Sequence, residues 1–439
     1  MAACYRPPVK YAVIIADGGG DKPLPQLDGR TPFEAAHTPH MDAVARMGRL
    51  GTARTTPEGW AAGSDVCTMC LLGYDPRVYH TGRAPLEAAA LGIKTAPQDW
   101  IFRTNLVTVG AEGTPDAGLM LDHSAGAIDE AEARPIAAGL FEYWKQKEPE
   151  LCRTLALHHG VSYRNILVDS SGRSYQGMTS TPPHEIPRQP WAKWIPHVSG
   201  VNAASADVLA RLMELSLEYL PTDPVNKARV AAGKRPANMA WIWGHGTRPA
   251  MPSFKERFGQ RGAMITAVDL LAGIANLIGW DRLDVPGVTS YHDTSYINQG
   301  RYSVDALDEY DIVCCHVESP DEASHQGDWK TKLAAIEAID EHVIGPILQK
   351  LQTFGDAEAD PKSQGWRILI MPDHYTLVST RKHDDTPSPF AMAGSFVRAH
   401  RTGGYSETEA NNSDLHIAHG HDLMEFFLSG GRPGVRSAR

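Results

Sequence analysis

Three apolar runs mark the chain, and each stops at polar residues: YAVIIAD (11–17), YDIVCCHVESPDEASH (310–325) and WRILIMPDH (366–374). Each is bounded by a polar or Gly-containing segment and is too short for an ordinary helix, so the pattern predicts buried strands. Runs without polar alternation suit a parallel sheet covered on both faces. Between them, apolar positions recur every three or four residues in TPHMDAVARMG (38–48), ITAVDLLAGIANLIG (265–279) and KLAAIEAIDEHVIGPILQKLQ (332–352), which predicts helices. Strand and helix in alternation give an α/β fold.

The middle of the chain breaks this rhythm. From about Pro97 to Arg235 it is rich in Pro, His and Trp, with candidate strands IFRTNLVTVG (101–110) and NILVDS (165–170) and a helix near 204–219. Residues 181–197 form a proline-studded loop and residues 354–365 an acidic one. The division expected is a first domain in two parts, 1–96 and 246–439, with a smaller α/β domain, 97–245, inserted between them. The connections fall near 94–99 and 234–253.

At 439 residues the chain is long enough for two domains with sizeable cores. A net charge of -10, from 42 Lys and Arg against 52 Asp and Glu, argues against nucleic acid and anionic membrane as partners. No stretch approaches the roughly 18 apolar residues of a membrane span, and the N-terminal apolar run is too short for a secretory signal. Six cysteines, two of them adjacent at Cys314 and Cys315 inside an apparent buried strand, make no disulfide framework. A cytoplasmic protein is expected; the oligomeric state is not legible.

Asp17 ends the first strand, Asp321 and His325 follow the second, and Asp373 and His374 end the third. Ligands of open α/β sheets bind beyond the carboxyl ends of the strands, which gathers these five residues on one rim. Carboxylates mixed with imidazoles suit Zn or Mn, whereas calcium favours oxygen alone and iron–sulfur clusters need thiolates. Each residue alone has a plainer explanation, as a helix cap or a surface-turn residue. If the 321–325 stretch is helical, its spacing of four puts both side chains on one face. Ser64, before VCTMCLLG, is placed at a helix N-cap, where it either caps or meets a phosphate.

The strings IIADGGGDKPLPQLDGRTPFEAAHTPHMDAVARMG, GSDVCTMCLLGYDPRVYHTGRAPLEAA, PSFKERFGQRGAMITAVDLLAGIA, HVESPDEASHQGD and PDHYTLVSTRKHDDTPSPF resemble archaeal-type cofactor-independent phosphoglycerate mutases of the alkaline phosphatase superfamily. The likeness runs in order through most of the chain. It implies an alkaline-phosphatase-like sandwich of helices around a mostly parallel sheet and two divalent cations, with Mn favoured over Zn, Co or Mg. One cation falls to Asp17, Ser64, Asp373 and His374, the other to Asp321, His325 and His383; His383 enters through the resemblance alone. Ser64 becomes the nucleophile, and Lys255 helps neutralise the phosphate. Arg103, Arg164 and Arg248 are candidates for holding the substrate's carboxylate or phosphate, and His184 for orienting the acceptor hydroxyl.

The mechanism so implied exchanges 3- and 2-phosphoglycerate through a phosphoserine, without 2,3-bisphosphoglycerate, while the inserted domain retains the glycerate and excludes water. Two rivals stand beside it: a phosphomonoesterase or phosphotransferase acting on another small hydroxy compound such as homoserine, and a catalytically silent metal-binding protein. The segment WIWGHGTRP departs from the family pattern, with His245 where relatives usually carry Gln and Arg248 where Lys is common. Cys67-x-x-Cys70 lacks a second pair and reads as packing, DGGGDKP lacks the third glycine of a dinucleotide fingerprint, and His416, His419 and His421 read as a surface cluster.

Overall fold

A computed structural model describes residues 9–197 and 203–432. The chain divides into two compact units, Met1–His80 with Met251–Arg439, and Thr81–Ala250. The second unit takes in residues 81–96 and 246–250, which the sequence pattern assigns to the first domain. The reason is packing: the helix Arg83–Ala90 lays Ala84 and Ala88 on Ile101, Ile166 and Val168 of the second unit's sheet.

The first unit is built on an eight-stranded sheet. Lys10–Ala16 lies near its centre, parallel to Ile312–Val317 on one side and Trp366–Met371 on the other, with Val13 opposite both Cys314 and Leu369. These are the three apolar runs, and all seven residues of the first are buried. Gly262–Ile265 and Asp281–Arg282 extend the parallel side. Ser388–Gly394 and Arg49–Ala53 add antiparallel strands on the other side, and His416–Ile417 pairs parallel at that edge. Because central parallel strands are covered on both faces, they carry no polar alternation.

The predicted helices form, with shifts that have local causes. The helix at 265–279 begins at Asp269 and ends at Leu277, since Ile265 is spent in a strand parallel to Cys315. The helix Pro39–Met47 has no cap from its own N-cap residue, Thr38. Instead the Asp340 carboxylate accepts from His40 N at 3.1 Å and Met41 N at 2.7 Å. Asp340 opens a π-turn, Asp340–Ile344, between the helices Trp329–Ile339 and Gly345–Gln352. A bulge in a long helix thus supplies a cap to another, a tertiary exchange that local propensity does not encode.

The second unit is organised around Trp100–Val109, which pairs antiparallel with Arg164–Asp169, Met239–Thr247 and Met120–Asp122. Leu155–His159 completes a sheet whose described pairings are all antiparallel. The helices Glu130–Lys147 and Ala203–Tyr219 cover one face with Leu140, Trp144, Leu209 and Leu212, against Phe102, Leu167 and Trp241 of the strands. Fully buried Trp144 and Trp241 each contribute well over 100 Å² of removed surface. No described helix is long and apolar enough to cross a membrane.

Candidate functional site

The first unit brings together the seven residues Asp17, Ser64, Asp321, His325, Asp373, His374 and His383. Asp17 follows the central strand; Asp373 and His374 follow its neighbour after Pro372. Asp321 and His325 lie one turn apart on the helix Ser319–Gln326, and His325 Nε2 is 3.1 Å from Asp321 Oδ2. The last member comes from a hairpin, Tyr375–Leu377 against Lys382–Asp384, whose register sets His383 opposite Thr376. His383 Nε2 is then 3.5 Å from Asp321 Oδ1 and 3.0 Å from His325 Nε2.

The three imidazoles share one arrangement. His325 Nδ1 lies 3.0 Å from Arg381 O, His383 Nδ1 3.0 Å from Ala62 O, and His374 Nδ1 3.3 Å from Tyr375 O. A carbonyl only accepts, so each Nδ1 carries the hydrogen, and in a neutral ring Nε2 keeps its lone pair. The lone pairs of His325 and His383 face each other beside a carboxylate, an arrangement that calls for a proton or a cation between them. Metal-bound histidines carry this signature, with the second ring nitrogen donating to a backbone carbonyl.

The acids make the same demand. Asp17, Asp373 and His374 are fully buried, and Asp17 Oδ1, Asp373 Oδ2 and the nearby Glu318 Oε2 have no hydrogen-bond partner among the described residues. Burial and then the negative charge of Asp17 push the Asp373 carboxyl well above its usual range, and the same two causes raise Glu318. Burial opposes ionisation of Asp17 too, but the hydrogen bond from His316 and the pull of His316 and His374 bring it down to about 2. For Asp321, burial is likewise outweighed, by hydrogen bonds that His325 and His383 donate from Nε2 when their rings are protonated, and its carboxyl is held well below normal. His325 is raised to about 9, chiefly by its hydrogen bond to Asp321. Crowded acids that cannot all ionise, facing oriented imidazole lone pairs, fit divalent cations. Among the described residues, three triads have ligand atoms within 4.8 Å of one another: Asp321, His325 and His383; Asp17, Asp321 and His374; and Asp17, His316 and Glu318.

Ser64 is not an N-cap. The cap of the helix Ser64–Leu71 is Gly63, whose carbonyl accepts from Cys67 N at 2.8 Å, and Ser64 is the first helical residue. Its hydroxyl is therefore not used for capping and lies 3.3 Å from His374 Nε2. With Nδ1 of that ring holding the hydrogen, Ser64 O–H donates to Nε2. Gly63 brings no side-chain acceptor, so the helix N-terminus presents N–H groups and positive partial charge beside the hydroxyl. Cys67 and Cys70, one turn behind, are buried packing residues.

One contributing residue, His316, carries no spacing signal. His316 Nε2 donates to Asp17 Oδ2 at 2.7 Å, while its Nδ1 meets Thr266 Oγ1 at 3.1 Å. A histidine inside the otherwise apolar run IVCCHV was the available signal. Lys255, on the helix Phe254–Phe258, is exposed, and its ammonium has no partner among the described residues.

The second unit holds a cluster of opposite sign. Arg103 is buried, with its guanidinium 4.2 Å from the Trp243 ring and Nη2 2.9 Å from Glu87 Oε1. His184 lies 5.7 Å from Trp243 and 5.9 Å from His123, ring to ring. Burial, then the charges of His123, Arg103, Arg83 and Arg164, lower it to about 4. Arg164 is exposed over Tyr163. Arg248 stands apart, its only described bond a 3.4 Å donation to Thr95 O. His245 packs by Trp100 and meets Ser180 Oγ at 3.3 Å.

A model of the 2,3-bisphosphoglycerate-independent phosphoglycerate mutase family matches residues 45–226. A Methanothrix thermoacetophila protein of that description is 41% identical over 422 residues, covering 96% of this chain and 100% of the relative. A solved structure from Pyrococcus horikoshii superposes with a TM-score of 0.77 at 27% identity, over 99% of this chain and 100% of that one. The fold is also that of a solved cofactor-independent phosphoglycerate mutase from Thermoplasma acidophilum, with a TM-score of 0.65 at 24% identity over 97% of this chain and 100% of that one.

Proposed function

The chain belongs to the 2,3-bisphosphoglycerate-independent phosphoglycerate mutase family, and from that premise we propose that it interconverts 3- and 2-phosphoglycerate by resting the phosphoryl group on Ser64. The observation that carries this reading is the Ser64 hydroxyl, 3.3 Å from His374 Nε2 at a helix N-terminus, beside the buried acids Asp17 and Asp373, each with one oxygen that has no hydrogen-bond partner among the described residues. Asp17, Ser64, Asp373 and His374 would hold one divalent cation, and Asp321, His325 and His383 the other; the mixed oxygen and nitrogen donors accept Mn, Zn, Co or Mg, of which the family resemblance favours Mn. Bound there, the cations supply Lewis-acid stabilisation and lower the pKa of the nucleophile.

In the first half-reaction Ser64 Oγ forms a bond to phosphorus, the bond to the 3-oxygen breaks, and the proton lost by the serine balances the one gained by the glycerate. The first-turn N–H groups of the Ser64 helix face the charge that develops on the phosphoryl oxygens. Lys255 offsets the phosphate's charge. After the glycerate turns, its 2-oxygen attacks the phosphoserine and Ser64 is released. Arg103 and Arg164 hold the carboxylate or phosphate of the substrate, with Arg248, outside their cluster, a further candidate, and His184 orients the acceptor hydroxyl. Retention is the task of the second unit, because water admitted at the phosphoserine would turn a mutase into a phosphatase. No 2,3-bisphosphoglycerate is required, and we assign the reaction to glycolysis in the cytoplasm.

Phosphorus NMR of the purified protein with Mn and 3-phosphoglycerate tests the proposal. The expected result is a growing 2-phosphoglycerate resonance without matching inorganic phosphate. Stoichiometric inorganic phosphate would make the protein a phosphatase, and no reaction with both cations bound would make it catalytically silent.

A further inference from the structure

Thr376 lies two residues beyond His374, opposite His383 in the hairpin, and is fully buried. Its hydroxyl donates to Asp321 Oδ1 and stands 3.2 Å from His374 Nδ1. A hydroxyl has one hydrogen to give, and here the carboxylate takes it. His374 must therefore donate Nδ1–H to Thr376 Oγ1, the same tautomer that Tyr375 O requires at 3.3 Å. One oxygen thus touches a member of each proposed cation-ligand set.

The backbone of Thr376 is clamped as firmly. Its N–H donates to Gly20 O at 3.2 Å, and its carbonyl accepts from Lys332 Nζ at 2.8 Å. That buried ammonium also reaches Gly20 O at 3.2 Å and Asp21 Oδ2 at 3.0 Å, so it ties the Asp17 loop to the Thr376 strand. Gly18 leaves the room this needs: at φ +59°, a Cβ there would come within 2.7 Å of Thr376 Oγ1 and 2.4 Å of Asp321 Oδ1.

We infer that the Thr376 hydroxyl is a positioning group that couples the two ligand sets, fixing the tautomer of His374 and the orientation of Asp321 together. The inference rests on the two-cation reading above. It is tested with Thr376→Val, which keeps the shape, and Thr376→Ser, which keeps the hydroxyl. Cation-free proteins are titrated with Co(II) and followed by visible absorption, alongside thermal unfolding without metal and steady-state kinetics with Mn. Thr376→Val is expected to unfold within a few degrees of the parent, to lose about 10- to 100-fold in Co(II) affinity and kcat, and to keep KM within about threefold. Thr376→Ser should restore affinity and spectrum. Parent-like Co(II) affinity and spectrum in Thr376→Val overturn the inference, as do equal losses in both variants that track a fall in melting temperature. A parent protein that takes up no Co(II) sinks the two-cation reading together with this one. Intact Co(II) coupling without mutase turnover sinks only the substrate assignment.

Discussion

The two units each gather titratable side chains, but with opposite sign and different anchoring. In the first, buried acids crowd together and three imidazoles are held by backbone carbonyls at Nδ1, so the free positions face inward. In the second, Arg103 lies over Trp243, and neighbouring cationic groups help burial depress His184 to about 4. One arrangement crowds buried carboxylates and the other gathers cationic side chains. A cation suits the first and an anionic substrate the second, so damage to the first should fall on kcat and damage to the second on KM.

The sharpest test of that division is Ser64→Ala. It should cost at least about 10³-fold in kcat while the protein still binds cation, measured by kinetics and metal analysis; retained turnover would remove Ser64 from the chemistry. Next, the double variant His325→Ala/His383→Ala should lose one equivalent of bound cation and about 10²-fold or more in kcat. Two equivalents still bound would break the assignment of that triad. For the second unit, Arg103→Met should raise KM for 3-phosphoglycerate about 10- to 100-fold, the worth of a charged hydrogen bond, with kcat changed less. A loss confined to kcat would merge the two regions' roles.

A smaller effect probes the acids of the first unit that sit away from the ligand cluster. Glu407 accepts from Thr31 Oγ1 at 2.6 Å and Asp21 N at 3.2 Å, and burial raises its carboxyl from 4.5 to about 7. The folded protein therefore binds this proton more tightly than the unfolded chain. Its contribution is complete below pH about 4.5 and is lost as pH rises through about 7. Glu407→Gln keeps the neutral form, so its melting temperature should gain a few degrees on the parent's between about pH 5 and pH 8; a constant difference would contradict this. Smallest of all, His419→Ala/His421→Ala should leave cation stoichiometry unchanged. Those rings stack 5.7 Å apart beside a cleft of about 370 Å³ lined also by Arg54, Glu58 and Arg77, and neither joins a group of described residues that could hold a metal ion.

The legible part of this architecture was what repeats. Apolar runs announced the three central strands, and the polar residues ending them marked the rim where Asp17, Asp321, His325, Asp373 and His374 meet. What escaped was set by tertiary hydrogen bonds. His383 joins because a hairpin register sets it opposite Thr376, a pairing invisible in RKHDDTP, and family resemblance alone supplied it. Ser64 was placed one residue early because serine is a favoured cap, whereas Gly63 takes that position and frees the hydroxyl. Thr376 and Lys332 carry no local signal, since a threonine in a strand and a lysine on a helix are ordinary until their partners arrive from more than 40 residues away. The strand Met239–Thr247 was missed because its glycines and polar end hid a run whose Trp241 and Trp243 are buried.

The claim on which all of this turns is that the phosphoryl group rests on Ser64. Acid-quenched mixtures of the Mn-loaded protein with phosphorus-labelled 3-phosphoglycerate, digested and mapped, test it most directly. The expected result is label on the Ser64 peptide within one turnover, followed by its appearance in 2-phosphoglycerate. Formation of labelled 2-phosphoglycerate with Ser64 unlabelled throughout would contradict it.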